Sequence, residues 1–193
     1  MNDRVQDKIK GAREVLALLS AVKSLPRKDL EEYIALFGFS APHVIGAMSQ
    51  FNLLSSNKDG TISECRGAEG STKALLCFRA AKALSRGKAF YLREAVYPFD
   101  FIVSCEGKNY LFLYFNDGGS SKLMFYNHMK KEDGEGPVLV LIFVNQTPDG
   151  LYETDLSGKR YLVPEEPFTI CRISYKNDSQ MITFREAEGR KDG

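Results

Sequence analysis

The sequence predicts an α+β protein of two domains, a helical front closed by a short hairpin and a strand-rich back. Three observations predict it. Apolar residues recur at helical spacing through the first half, Asp59-Gly60 falls between two short extended segments, and strand-like runs take over from Ala89.

Val5, Ile9, Val15, Leu16, Leu18, Leu19 and Val22 mark an apolar stripe through Asp3 to Ser24, interrupted by Gly11. Leu25-Pro26 ends this helix, and Pro26 opens a second over Arg27 to Phe37 with Leu30, Tyr33, Ile34 and Phe37 on one face. Gly38 suits the left-handed position of the next turn, and Ser40 caps a third helix over Ala41 to Asn52 with Pro42 in its first turn. Val44, Met48 and Phe51 are its inward positions, and His43, Ile45, Ala47 and Gln50 face outward. Asn57-Lys58-Asp59-Gly60 then joins Leu53 to Ser56 and Thr61 to Ser63 as a hairpin. Helix, helix, three-residue turn, helix and hairpin is the winged helix-turn-helix order.

A fourth helix, Ser71 to Ser85, carries Ala74, Leu75, Phe78, Ala81 and Leu84 on one side and Arg79, Lys82, Arg86 and Lys88 on the other or at its exit. Phe90 to Val96, Phe99 to Cys105 and Asn109 to Asn116 read as three strands, the last two joined at Glu106-Gly107-Lys108. Ser120 to Lys131 is a helix. Pro137 to Asn145 is apolar on both faces, which a central strand requires. Gly158 to Val163, Phe168 to Tyr175 and Met181 to Glu186 are expected as shorter strands near an edge. The expected boundaries are 1–68 for the winged helix, 69–88 for a linking helix, 89–186 for a mixed α/β domain and 187–193 for a charged tail.

With 193 residues, 44% hydrophobic and 26% charged, the chain can bury one good core or two small ones. No apolar run approaches the roughly 20 residues needed to cross a bilayer, and the charged start lacks the core of a signal peptide. A cytoplasmic bacterial protein is expected, with no membrane contact. Cys65, Cys77, Cys105 and Cys171 are spread without a C-x-x-C pair or nearby histidines, so they read as reduced, mostly buried thiols. His43 and His128 are isolated and read as surface or capping residues. Residues 1–90 hold 14 Lys/Arg against 9 Asp/Glu, and residues 91–193 hold 12 against 16. The basic front half fits a polyanion partner, although solvated helix faces produce the same bias.

Strand, hairpin, helix and central strand outline a nuclease-like core. Such a core needs an acid near the start of its second strand and an acidic-x-Lys triplet on its third, together holding Mg²⁺ and a water. Asp100, in Tyr97-Pro98-Phe99-Asp100, supplies the first acid. Leu111 to Phe115 supplies neither carboxylate nor lysine, and the nearest acids, Glu106 and Asp117, lie in flanking turns. A lone carboxylate does not hold a catalytic magnesium. Asp100 is read as a vestigial acidic position or as a cap of the turn after Pro98; no enzyme, metal or cofactor is expected.

The winged-helix order, the basic linking helix and the Y-P-F-D-F-I-V / Y-L-F-L-Y-F hairpin resemble replication-relaxation family proteins of bacterial plasmids and conjugative elements. The resemblance covers nearly the whole chain through architecture and pattern. It implies a winged helix joined to a degenerate restriction-endonuclease-like domain, a DNA-associated role in replication, transfer or its regulation, and a scaffold use of Asp100's fold. Double-stranded DNA is the expected partner, with His43 and Gln50 toward base edges and Arg27, Lys28, Lys58, Arg79, Lys82 and Arg86 toward phosphates. The competing expectations are an assembly module, in which the small apolar surface of Ile45, Gly46 and Ala47 packs on its own copy or another mobile-element protein, and a transcription regulator that senses a ligand.

Overall fold

The computed structural model describes residues 3–64, 70–115, 119–129, 136–145, 164, 166–176 and 179–189. The chain forms two compact units, Met1–Arg93 and Glu94–Gly193.

In the first unit the order is α1 (Asp3–Val22), β1 (Ser24–Pro26), α2 (Arg27–Leu36), α3 (Ala41–Gln50), β2 (Leu54–Ser56), β3 (Thr61–Glu64) and α4 (Thr72–Ser85). The first helix ends at Val22, the last residue of its apolar stripe and two residues before the expected Ser24. Residues Ser24 to Pro26 leave it to pair with β3 in a small antiparallel sheet of order β1-β3-β2. Lys23, at φ 69°, makes the corner.

The three helices close on Val15, Leu18, Leu19 and Val22 of α1, Leu30, Tyr33 and Ile34 of α2, and Val44 and Met48 of α3. Two inward expectations fail: Ile9, in the N-terminal half of α1, is half exposed and Phe51 is 75% exposed. Phe51 is the C-cap of α3, where the backbone has left the helical path and no longer aims the side chain at the core. Ile45, expected outward, is 5% exposed. A ten-residue helix held between α1 and α2 buries a wider arc than a spacing of four and three supplies.

Turn chemistry follows the sequence except at one cap. Gly38 has φ 77°, and Ser40 takes the extended N-cap conformation of α3 but makes no side-chain cap bond. Ser71 does cap α4, its Oγ accepting from the Ala74 N–H at 3.1 Å. In the hairpin turn the Asn57 N–H donates to the Thr61 carbonyl at 2.8 Å, and Asp59 accepts from the Thr61 N–H and Oγ. Those two bonds, the side-chain bond first, hold the Asp59 carboxyl below its usual range.

Helix α4 belongs to the first unit. Its small residues Ala74, Ala80 and Ala81 are buried together with Leu76, Cys77 and Phe78, whereas Leu75 and Leu84 are half-buried. Tyr33 stands edge-on to Phe37 and Phe90, with ring centroids 5.1 and 5.3 Å away, and tilts against Phe78. Burial first, then the charge of Glu14, raises its phenol above the usual range.

The second unit is built on a six-stranded sheet of order β4-β5-β6-β7-β8-β9, in which β4 is Phe90–Glu94, β5 Phe101–Cys105, β6 Lys108–Tyr114, β7 Val138–Val144, β8 Phe168–Lys176 and β9 Ser179–Ala187. The unit boundary falls within β4. Cys105 pairs with Lys108 across the two-residue turn Glu106-Gly107, at φ 49° and 76°. Both residues have the positive φ that matches a hairpin turn to the twist of its strands. Helix α5 (Gly119–His128) lies in sequence between β6 and the parallel strand β7.

Val138–Val144 is interior, as its composition requires, with β6 and β8 both parallel to it. Leu139, Leu141 and Phe143 join Leu113, Phe168 and Ile170 in a core that Leu123 and Tyr126 of α5 cover. Val140 and Ile142, on the opposite face, are buried too. β8 lies next to an edge strand but is not short. It runs nine residues between β7 and β9, and β9, also nine residues long, is one end of the sheet as β4 is the other. The expectations for 158–163 and for Cys65 lie outside the described residues.

Two outcomes follow. A Cβ at Gly11 would meet Val44 Cγ2 at 2.7 Å and the Phe39 ring at 3.3 Å. Gly11→Ala, worth roughly 1 kcal/mol of added stability in an isolated helix, should instead destabilise the chain by about 1–3 kcal/mol through overpacking, read from urea unfolding. Cys77, Cys105 and Cys171 form no disulfide and are buried, and burial pushes the Cys171 thiol up to about 12. Iodoacetamide at mildly alkaline pH should leave Cys171 unmodified in the folded chain and alkylate it after denaturation, as peptide masses will report.

Candidate functional site

Asp100 is the candidate that the fold treats most specifically. The turn between β4 and β5 sets it just before β5, where its N–H donates to the Phe112 carbonyl at 2.8 Å. Its side chain is 3% exposed. Oδ2 accepts from the Tyr114 N–H at 2.8 Å, and Lys122 Nζ reaches Oδ1 at 2.7 Å and Oδ2 at 2.9 Å. One carboxylate therefore ties the start of β5 to the end of β6 and to α5. This is a larger role than capping the turn after Pro98.

Lys122 was not a sequence candidate. It lies 22 residues from Asp100 on a helix one residue before buried Leu123, and only the docking of α5 brings the two together. The sequence does carry one signal: Lys122 is the only Lys or Arg in a helix whose Leu123 and Tyr126 face the core.

The segment of β6 beside Asp100 is apolar and closed. Phe112 and Leu113 are fully buried and Tyr114 nearly so. Among the described residues no group of three His, Cys, Asp or Glu could hold a metal ion. Glu106 lies in the β5–β6 turn, and Asp117 is outside the described residues.

The residues expected to meet DNA do not gather as one set. Arg79 Nε and Nη2 both donate to Asp29 Oδ2, at 3.1 and 2.9 Å, and Lys82 reaches Asp29 Oδ1 at 3.5 Å and also pairs with Glu32. Asp29 is buried and both cations are only 31% exposed. The basic side of α4 is thus turned onto α2 and holds the two helices together.

Arg27 and Lys28 remain exposed, paired with Glu31 at 2.8 Å and Glu32 at 4.0 Å along α2. Such solvated pairs contribute about 0.3–0.5 kcal/mol and leave the cations available. Lys58 is exposed on the hairpin turn and Arg86 on the exit of α4, where it adopts φ 49°. His43 and Gln50 are exposed on α3, whereas Ile45 is buried and cannot form the outward apolar surface expected of it. His128 ends α5, also exposed.

Removing one member of a buried pair leaves the other charge without compensation. Lys122→Met should lower stability by about 3 kcal/mol in urea unfolding, more than Asp100→Asn, whose amide oxygen still accepts from the Tyr114 N–H. The double variant should recover part of the loss, which a double-mutant cycle will measure.

No protein-family model and no curated protein matches this chain.

Proposed function

We propose that the chain is a non-catalytic DNA-associated protein, a winged helix followed by a nuclease-like domain in which an ion pair has replaced the metal site. The observation that carries this reading is Asp100 itself: at the position read as the acid of a nuclease-like core, the carboxylate is held by Lys122 and the Tyr114 N–H. The Lys122 ammonium supplies positive charge at the carboxylate, and Phe112, Leu113 and Tyr114 stand where a second acid and a lysine would be needed.

Element order supports both halves. Helix, strand, helix, helix and hairpin with sheet order β1-β3-β2 suits a winged helix, with α3 as the recognition helix and Asn57–Gly60 as the wing. Three meandering strands, a helix and a strand parallel to the third suit a degenerate restriction-endonuclease-like domain. In this reading, which takes up the architectural resemblance to replication-relaxation proteins, the role is in replication, transfer or its regulation in a mobile element. DNA is held mainly through phosphates, because the exposed part of α3 offers His43 and Gln50 but no Arg or Lys.

A second reading rests on Phe51 and Leu53, both exposed beside that uncharged helix. In it the winged helix packs on a partner protein or on its own copy.

Titration with random duplex DNA separates the two. Binding at low salt that weakens steeply as salt rises is expected; absence of binding at low salt, with a mass that grows with protein concentration, would favour assembly. Supercoiled plasmid incubated with the chain and Mg²⁺ should stay intact. Cleavage that Asp100→Asn abolishes would overturn the non-catalytic half.

A further inference from the structure

The hairpin turn of the first unit forms one wall of a cleft. Pairing of Pro26 with Thr61 sets the start of α2 beside the turn. The Gly70 N–H donates to Ser24 Oγ at 3.0 Å and brings the start of α4 to the same strand. That approach requires glycine, because a Cβ at position 70 would lie 2.5 Å from the hydroxyl oxygen.

Between these segments opens a cleft of about 760 Å³. Lys58 of the turn lines it, together with the hydroxyl-bearing Ser24, Thr61 and Thr72. Pro26 lines it as well, and the exposed cations Arg27 and Lys28 follow directly in the chain. One carboxylate, Asp59, is also on the wall, and its charge is partly met by the Thr61 N–H and hydroxyl. Among the described residues no aromatic side chain lines the cleft, so none of them offers a nucleobase a ring to stack on.

The Ser24 and Thr72 hydroxyls and the Lys58 ammonium suit a phosphate ester without its base. We infer that this cleft seats a phosphate of a DNA backbone between the hairpin turn and the start of α4. The inference rests on the DNA reading above and deepens it: the first unit grips the duplex here, while Arg79 and Lys82 hold α4 to α2.

The test uses the full chain. Thr72→Glu puts a carboxylate at the cleft while favouring the first turn of a helix, so thermal stability should hold or rise. Duplex affinity at low salt should nevertheless fall roughly tenfold or more. Lys58→Ala should weaken binding evenly across sequences and reduce the slope of log affinity against log salt by about one. Lys108→Glu, on the second unit, should bind as wild type.

If the wild type binds duplex while Thr72→Glu and Lys58→Ala keep its affinity and slope, the cleft assignment is overturned and the DNA reading stands. If the wild type does not bind duplex at low salt, both fall. Thermal protection by adenosine monophosphate or inorganic phosphate, with no duplex binding, would make the cleft a pocket for a free phosphate and overturn the backbone assignment.

Discussion

A carboxylate taken out of water must recover its hydration from an opposite charge and from hydrogen-bond donors. Asp100 does so through Lys122 and the Tyr114 N–H, and the second unit is arranged around that requirement. The bond to Tyr114 fixes where β6 ends against β5. The ion pair fixes α5 above the same end, and with it the layer of Leu123 and Tyr126 that covers Leu139, Leu141 and Phe143. The carboxylate is thereby part of the support for the sheet.

The first unit uses the same physics between helices. Asp29 is buried on α2, and Arg79 and Lys82 of α4 compensate it from more than one side. A composition that looks basic along the front half is therefore partly an internal matter. Of the six cations expected to meet phosphates, Arg27, Lys28, Lys58 and Arg86 are left to solvent; Lys58 lies on the turn between β2 and β3, and Arg27 and Lys28 follow Pro26, which pairs with Thr61 beside it. This division underlies the proposed mode of DNA association, in which charge at the hairpin turn has more weight than charge along α4.

Local signals carried most of the fold. Helical periodicity, Gly38 at positive φ, the Asp59-Gly60 hairpin, the Ser71 cap and the Glu106-Gly107 turn each involve residues within a few positions of one another, so the sequence displays them directly. The run Val138–Val144 belongs with them, since a strand without polar side chains has no place at a solvated edge. The misreadings came where periodicity stops being informative. Ile9 lies in the N-terminal half of α1, Phe51 at the C-cap of α3, and Ile45 in a helix enclosed on a wide arc.

The sequence by itself determined the two-part α+β organisation, the positions of the turns, the central strand and the absence of an acidic-x-Lys triplet on Leu111 to Phe115. Tertiary structure alone decided that Asp100 meets Lys122, that Arg79 and Lys82 face Asp29, and that Ser24, Lys58 and Thr72 line one cleft. The reason is the range of the forces that encode them. Backbone conformation is set by neighbours in the chain, whereas an ion pair between residues 22 or 50 positions apart forms only after apolar burial has packed the helices and strands that carry them.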